Sequence, residues 1–250
     1  AKLYQSDFQL PQSQVAAGAL GNIGQQQVDY QKKLATEQKQ IQQQIISKVK
    51  GILESLIGKT KEEIKAVLES LGLGGLTGIV EMTADLVSTI INWLSQGTTK
   101  VFNCAIQSIK ALFEKLGKNL TDDELTDLAV AAILTDIVSG IITKDNAKGE
   151  LYLSMYSIKI AAATKGVELS AAGNLTIEDL KKIKSPTIVF VDSDGDGKGD
   201  HFVVVTKVEN GKVTYIDNGV EKTLSEAEFS KMWVGGIAMA KSDSMGNVKG

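Results

Sequence analysis

The stretch His201-Phe202-Val203-Val204-Val205-Thr206-Lys207-Val208 is followed by Asn210-Gly211 and then by Lys212-Val213-Thr214-Tyr215-Ile216-Asp217. Its β-branched and aromatic residues favour strands. An Asn-Gly pair tolerates the positive φ angles that a two-residue hairpin turn requires. The stretch therefore predicts an antiparallel hairpin with strands at 202–208 and 212–216.

Helical patterns precede this hairpin over most of the chain. Apolar residues recur at helical spacing from Ile41 to Ile57, and two capping boxes, at Thr60 and Thr121, each predict a helix start. Further elements are predicted around the hairpin: a strand at Thr187–Val191, helices at 176–184 and 225–232, and a last strand at 234–240. Helices followed by an antiparallel sheet indicate an α+β fold.

Composition excludes several classes of protein. The chain has 250 residues, 43% hydrophobic and 23% charged, with a net charge of −3 and one cysteine, so an intramolecular disulfide is impossible. All of its basic residues are lysine, which removes the guanidinium contacts typical of nucleic-acid binders, and we expect no nucleic-acid partner. The most apolar stretches, 79–94 and 125–142, are too short or too charged to span a bilayer, so no transmembrane segment is expected.

The composition also divides the chain into regions. Residues 1–95 form a predicted helical region, rich in glutamine over about the first 50 residues, 96–241 a second domain, and 242–250 a C-terminal tail. The glutamine-rich helix either packs on its own domain or forms an arm that contacts another chain. The second alternative predicts a homo-oligomer or filament through the N-terminal helices.

Three residues form a candidate catalytic group. Cys104 is predicted to start a helix from 104 to 116, where the helix dipole stabilises a thiolate. His201 starts one strand of the hairpin and Asp217 ends the other, and a small bulge would bring their side chains together. Together they would supply a nucleophile, a base and a carboxylate that orients the base. Taken singly, each has a plain structural alternative, as a buried thiol, a surface histidine and a turn former.

A second candidate site lies directly before His201. Residues 192–200 carry aspartates at alternate positions, with glycines that permit sharp turns. This pattern converges oxygen ligands on a hard cation and predicts a Ca²⁺ site. The predicted ligands are Asp192, Asp194, Asp196, Asp200 and the backbone carbonyl of Lys198. The alternative is a solvated acidic turn without a cation.

Residues from about 98 to 240 resemble the papain-like peptidases that cut leader peptides after a double glycine. The resemblance is carried by His201-Phe202-Val203-Val204, by Asp217 at the end of the next strand, by Leu224-Ser225 with Glu228-Phe229, and by Trp233-Val234-Gly235-Gly236. It implies a papain-like fold in which Cys104 is the nucleophile, His201 the general base and Asp217 the residue that orients the imidazole.

The sequence departs from that family near the cysteine. The family usually has Asp or Glu before the cysteine and Gly after it, where this chain has Asn103 and Ala105. The family's oxyanion-hole glutamine lies six residues before the cysteine, a position occupied here by Thr98. Gln96 is the nearest candidate for that role.

We therefore expect a calcium-stabilised cysteine peptidase or transpeptidase that acts on a peptide or protein substrate. Its location is expected to be extracellular or at the cell surface. The twelfth position of the calcium-loop pattern is Val203 instead of a bidentate glutamate, and a loop that lacks this ligand suits millimolar calcium. The alternative is a structural or self-assembling subunit built on a peptidase-like domain, with reduced or no activity.

Overall fold

The computed structural model describes residues 20–96 and 99–248, with side chains except at residues 20–23, 31, 34, 35 and 99–103. Residues 1–19 of the predicted N-terminal region and Thr98 lie outside the described residues. The helices are α1 Leu20–Leu56, α2 Lys61–Ser70, α3 Ala84–Ser95, α4 Thr99–Lys115, α5 Asp122–Val138, α6 Met155–Thr164, α7 Ile177–Lys182, α8 Glu226–Met232 and α9 Ser242–Met245.

The strands form one antiparallel sheet. They are β1 Leu169–Ala172, β2 Thr187–Val191, β3 His201–Glu209, β4 Lys212–Asp217, β5 Val220–Ser225 and β6 Ala238–Lys241, in the spatial order β1-β6-β2-β3-β4-β5. The predicted α+β fold, with helices before an antiparallel sheet and a helical N-terminal region, is confirmed. The hairpin of β3 and β4 turns at Asn210-Gly211, where both residues have positive φ, as predicted.

Helix α5 lies at the centre of the helical part. Its capping box at Thr121 is formed, and every residue from Leu128 to Val138 is buried. A helix that is apolar on all sides needs neighbours on all sides, and α5 packs against α1, α4 and α6. Within the described residues, no helix combines the length and apolar character needed to cross a bilayer.

Strand β3 separates two hydrophobic clusters because its side chains alternate between the faces of the sheet. Phe202 and Val204 belong to the larger cluster, which also contains Val49 of α1, so the N-terminal helices and the sheet share a core. Val203 belongs to a smaller cluster, on the other face, with Trp233 of the Trp-Val-Gly-Gly segment.

Three details of the sheet differ from the prediction. Strands β1 and β5 were not predicted; β5 has the sequence Val-Glu-Lys-Thr-Leu-Ser and is an edge strand with little apolar character. The predicted last strand begins at Ala238, not at 234, because Val234–Gly236 forms a 3-10 turn. Gly236 has a φ of +55°, and a Cβ there would lie 2.4 Å from the backbone nitrogen of Leu175, so only glycine fits.

Candidate active site

Cys104 lies on the side of α4 that faces the sheet. It is the sixth residue of this helix, which begins at Thr99, so the prediction that Cys104 starts the helix was wrong. The free N–H groups of the helix start belong to the first turn, and Cys104 lies one turn further on. The thiol is partly exposed, and its hydrogen-bond partner comes from the sheet instead.

That partner is the backbone of Phe202, the residue after His201. The N–H of Phe202 donates to Sγ of Cys104 at 2.9 Å. One turn along α4, the buried hydroxyl of Ser108 donates to the carbonyl of Phe202 at 3.2 Å. Both polar groups of the Phe202 backbone are thus bound by α4, which fixes the start of β3 against the helix that carries the sulfur.

His201 and Asp217 are in direct contact. Nε2 of His201 lies 2.6 Å from Oδ1 of Asp217, and the two side chains are only 15% and 19% exposed. A bulge at Thr206 shifts the register between β3 and β4, so that Val204 pairs with Ile216. Without the bulge, Val204 would lie opposite Asp217, which would leave the carboxylate one residue further from His201.

The electrostatics of this group favour a charged imidazole. Burial lowers the pKa of His201, but hydrogen bonds and charges of Asp217 and Cys104 outweigh burial and raise this pKa to about 10. Burial raises the pKa of Asp217, but His201 and Lys222 lower it below its usual value overall. This raised pKa favours the protonated imidazole at neutral pH.

Lys222 is a contact of this group that the sequence did not predict. Its Nζ lies 2.9 Å from Oδ2 of Asp217, on the oxygen that His201 does not use. Lys222 belongs to β5 and pairs with Tyr215 of β4. Tyr215 lies two residues before Asp217, so Lys222, Tyr215 and Asp217 face the same side of the sheet. The sequence held no signal for this contact, because Lys222 is one of 27 lysines and its place beside Asp217 depends on the β4–β5 register.

Gln96 ends α3 as its C-terminal cap and has an exposed side chain. Its backbone N–H donates to the carbonyl of Trp93 at 3.2 Å. No hydrogen bond joins Gln96 to Cys104 in the part of the chain that the structure describes, and Gly97 and Thr98 between them lie outside that part. Its role as an oxyanion donor stays a prediction.

The acidic segment 192–200 forms the turn between β2 and β3. One carboxylate oxygen from each of Asp192, Asp194 and Asp200 lies within 4.8 Å of the others. Asp196 is not part of this group of carboxylates, and its Oδ1 accepts the backbone N–H of Lys198 at 2.8 Å. The structure thus brings together three of the four predicted carboxylate ligands, and the role of the Lys198 carbonyl stays a prediction.

Two hydrogen-bond patterns order this turn. The Asp192 carboxylate is buried and accepts the backbone N–H groups of Gly195 and Gly197, each at 2.8 Å. Burial raises the pKa of Asp192, but these bonds lower it overall. The N–H of Asp200 closes the turn by donating to Val191 at 2.9 Å, next to the Val191–His201 strand pair. The acidic turn is therefore directly connected to the candidate base.

Comparison with known proteins bears on the second half of this site. Residues 142–244 match the model of the Peptidase C39 family. The resemblance to the double-glycine leader peptidases is thereby confirmed over the segment that contains His201, Asp217 and the acidic turn. The matched segment begins after Cys104, so α4 lies outside it.

A solved structure is also similar. It is a double-glycine motif protease from an AMS/PCAT transporter in complex with the leader peptide; it is 18% identical, with a TM-score of 0.40, and the similarity covers 56% of this chain and 84% of that chain. No curated protein matches the sequence. The family match supports the coarser part of the functional expectation, a domain of the cysteine-peptidase class.

Proposed function

We propose that this protein is a cysteine peptidase in which Cys104, His201 and Asp217 act as a triad on a peptide substrate. The observation that carries the proposal is that the side chain of Cys104 on α4 meets those of His201 and Asp217 on the β3–β4 hairpin, almost 100 residues further along the chain, in one partly exposed group. A buried structural thiol would not need a protonated imidazole beside it, whereas a thiolate nucleophile does.

The chemistry follows from the order of the contacts. Sγ of Cys104, as the thiolate, attacks the carbonyl carbon of the scissile bond, and the imidazolium of His201 gives its proton to the leaving amine as the C–N bond breaks. A thioester to Cys104 remains. His201, now neutral, takes a proton from water as the water attacks the thioester, which releases the carboxylic acid and restores the thiolate. Asp217 holds the Nε2 proton throughout.

An amine in place of water in the second step would give transpeptidation. Both acceptors use the same thioester and the same base, so the triad serves hydrolysis and transfer equally. Product analysis with and without an added amine nucleophile decides between them. A joined peptide that appears only with the amine indicates transfer, and free acid in both samples indicates hydrolysis.

Hydrolysis of a peptide library, read by mass spectrometry, tests the proposal. The library includes peptides with a double glycine, because leader peptides of this kind are the substrates of the family that the sequence resembles. We expect cleavage by the wild type and none by Cys104→Ala, with Asp217→Asn slower by about 10²–10⁴-fold. Cleavage that persists in Cys104→Ala would contradict the triad.

We further propose that the carboxylates of Asp192, Asp194 and Asp200 hold a Ca²⁺ ion. Three converging carboxylates are the donor set that a hard cation prefers, and a bound cation would reduce the mutual repulsion that backbone hydrogen bonds to Asp192 offset only in part. The remaining predicted ligands, Asp196 and the carbonyl of Lys198, follow within the same turn. Calcium bound there would order the turn that leads into His201, and weak affinity would suit the extracellular location we propose.

Thermal unfolding with and without calcium tests this second proposal. We expect added calcium to raise the melting temperature of the wild type, and chelation to reverse the rise, because a ligand that binds only the folded state stabilises it. Asp194→Asn should abolish the response. Asp179→Asn, which changes a carboxylate in the cap of α7, is the control and should keep it. A wild-type melting temperature that calcium does not change would contradict the proposed calcium site.

One observation favours the assembly alternative as an additional role. The described side chains of α1 between Gly24 and Glu37 are all at least partly exposed, including Val28 at 43% and Tyr30 at 44%. Val28 and Tyr30 lie two positions apart and point to different sides of α1, so a partner that covers both must contact more than one side of the helix; we propose that this partner is α1 of a second copy. Sedimentation of the wild type and Val28→Glu should show a concentration-dependent dimer that the variant weakens; a monomer at all concentrations would contradict it.

A further inference from the structure

Asp217 has two carboxylate oxygens, and each binds a different cationic partner. Oδ1 contacts Nε2 of His201 at 2.6 Å, and Oδ2 contacts Nζ of Lys222 at 2.9 Å. The carboxylate is 19% exposed, so water has little access to compete for either oxygen. With both oxygens engaged, the carboxylate plane cannot turn about its last side-chain bond without losing a contact.

The position of Lys222 follows from the turn that precedes it. Asn218 and Gly219 have φ angles of +52° and +88° and form a two-residue turn, after which Asp217 pairs with Val220. Lys222 therefore lies two residues from the pair partner of Asp217, on the same face of the sheet. Tyr215, directly opposite Lys222, also faces the ammonium group.

We propose that Lys222 is the fourth member of the site, a positioning residue that fixes Asp217 so that its Oδ1 faces His201. This inference rests on the proposed function, in which Asp217 orients the imidazole. In the reactive state the four side chains alternate in charge, from the sulfur through the imidazolium and the carboxylate to the ammonium. Without Lys222 the site carries an unbalanced negative charge, and the carboxylate gains the freedom to turn toward solvent.

A matched pair of lysines makes the proposal testable. Lys222 is 49% exposed and lies 2.9 Å from the Asp217 carboxylate; Lys207, on β3, is 57% exposed and lies 2.9 Å from the Glu209 carboxylate. The two lysines thus make ion pairs of the same length in the same sheet, but the Glu209 carboxylate is 56% exposed and the Asp217 carboxylate only 19%, and only Lys222 binds the site. Lys207→Met should cost little stability, since exposed ion pairs contribute little, whereas Lys222→Met should cost somewhat more because the Asp217 carboxylate is only 19% exposed. Melting curves of both variants are therefore recorded, and the kinetics are compared under conditions in which each is folded.

The experiment measures kcat and KM for peptide hydrolysis by the wild type, Lys222→Met, Lys222→Arg and Lys207→Met. We expect Lys222→Met to lower kcat about three- to tenfold with KM within about twofold, because a displaced carboxylate misaligns the base without touching the substrate. Lys222→Arg keeps the charge and should recover most of kcat, and Lys207→Met should match the wild type. Wild-type kcat in Lys222→Met, or equal losses in both Met variants, would overturn the proposal.

A spectroscopic measurement separates this inference from the proposed function. His201 is the one histidine of the sequence, so its imidazole N–H signal is assigned without ambiguity by NMR. The signal of the Nε2 proton should shift or broaden in Lys222→Met and stay unchanged in Lys207→Met. If the wild type hydrolyses no peptide, the proposed function fails, and this signal still decides whether Lys222 positions Asp217: no change in Lys222→Met would refute it.

Discussion

Phe202 donates its backbone N–H to Sγ of Cys104 over 2.9 Å, so the residue that follows the candidate base is bound to the candidate nucleophile. Cys104 and Phe202 are 98 residues apart in sequence, and this contact sets the distance between the sulfur and the imidazole. The geometry of the site therefore depends on how the backbone of Phe202 is held. Besides Cys104, the hydroxyl of Ser108 holds this backbone through its hydrogen bond to the Phe202 carbonyl.

Ser108→Ala is therefore expected to lower both stability and reactivity. The substitution removes a buried hydrogen bond to the carbonyl of Phe202 and should lower the free energy of unfolding by about 1 kcal/mol. The start of β3 should loosen from α4, so alkylation of the thiol should also slow. Urea denaturation and iodoacetamide kinetics measure the two effects. The control is Ser55→Ala, which removes an exposed hydrogen bond within α1. Equal effects of the two variants would show that the hydrogen bond from Ser108 does not hold Phe202 against α4.

The proton on His201 makes stability depend on pH in a defined direction. The folded-state pKa of about 10 lies above the ordinary value of 6.5, so folding favours the protonated form. This contribution is complete below pH 6.5, declines as the pH rises above that value, and is lost as the pH passes about 10. Denaturation at several pH values measures the decline, which should disappear in His201→Gln.

NMR titration of the one histidine measures the folded-state pKa of His201 directly, without unfolding the protein. We expect a midpoint near 10 in the wild type. Cys104→Ala and Asp217→Asn should each lower it, because each removes a group that raises the pKa of the imidazole. A wild-type midpoint near 6.5 would show that the ring lies free of both partners.

Calcium binding should also depend on pH, through Asp194. The backbone N–H of Asp196 lowers the pKa of Asp194, but the carboxylates of Asp192 and Asp196 raise it to about 6 overall. A cation must displace that proton, so calcium affinity should increase as the pH rises from 5 to 7 and level off above 7. Calorimetry at these pH values measures the change, and an affinity that is constant across this range would contradict a role for Asp194.

The sequence predicted the hairpin and its ends because the pattern there is local. Alternating apolar residues and an Asn-Gly turn define the β3–β4 hairpin, and counting along it showed that His201 needed a small bulge or a twist to approach Asp217. The bulge at Thr206 is present, although its position could not be derived, since it depends on how β3 packs between two clusters.

The rest of the site depends on tertiary contacts that no local pattern encodes. The start of α4 was misplaced because its first turn has no capping residue pattern like those at Thr60 and Thr121. The hydrogen bond from Phe202 to Cys104 and the contact of Lys222 with Asp217 join different elements, and each needs the packed structure to be seen.

The most direct test of the account is the rate at which a thiol-reactive peptide probe labels Cys104 at pH 7 in the wild type and in His201→Ala. The chain has one cysteine, so every labelled molecule reports on this sulfur. We predict that the variant, with a native melting curve, is labelled about 10²-fold more slowly or worse, because no imidazolium remains to stabilise the thiolate. Equal labelling rates in the two proteins would show that sulfur and imidazole do not act together, and the proposed peptidase would be wrong.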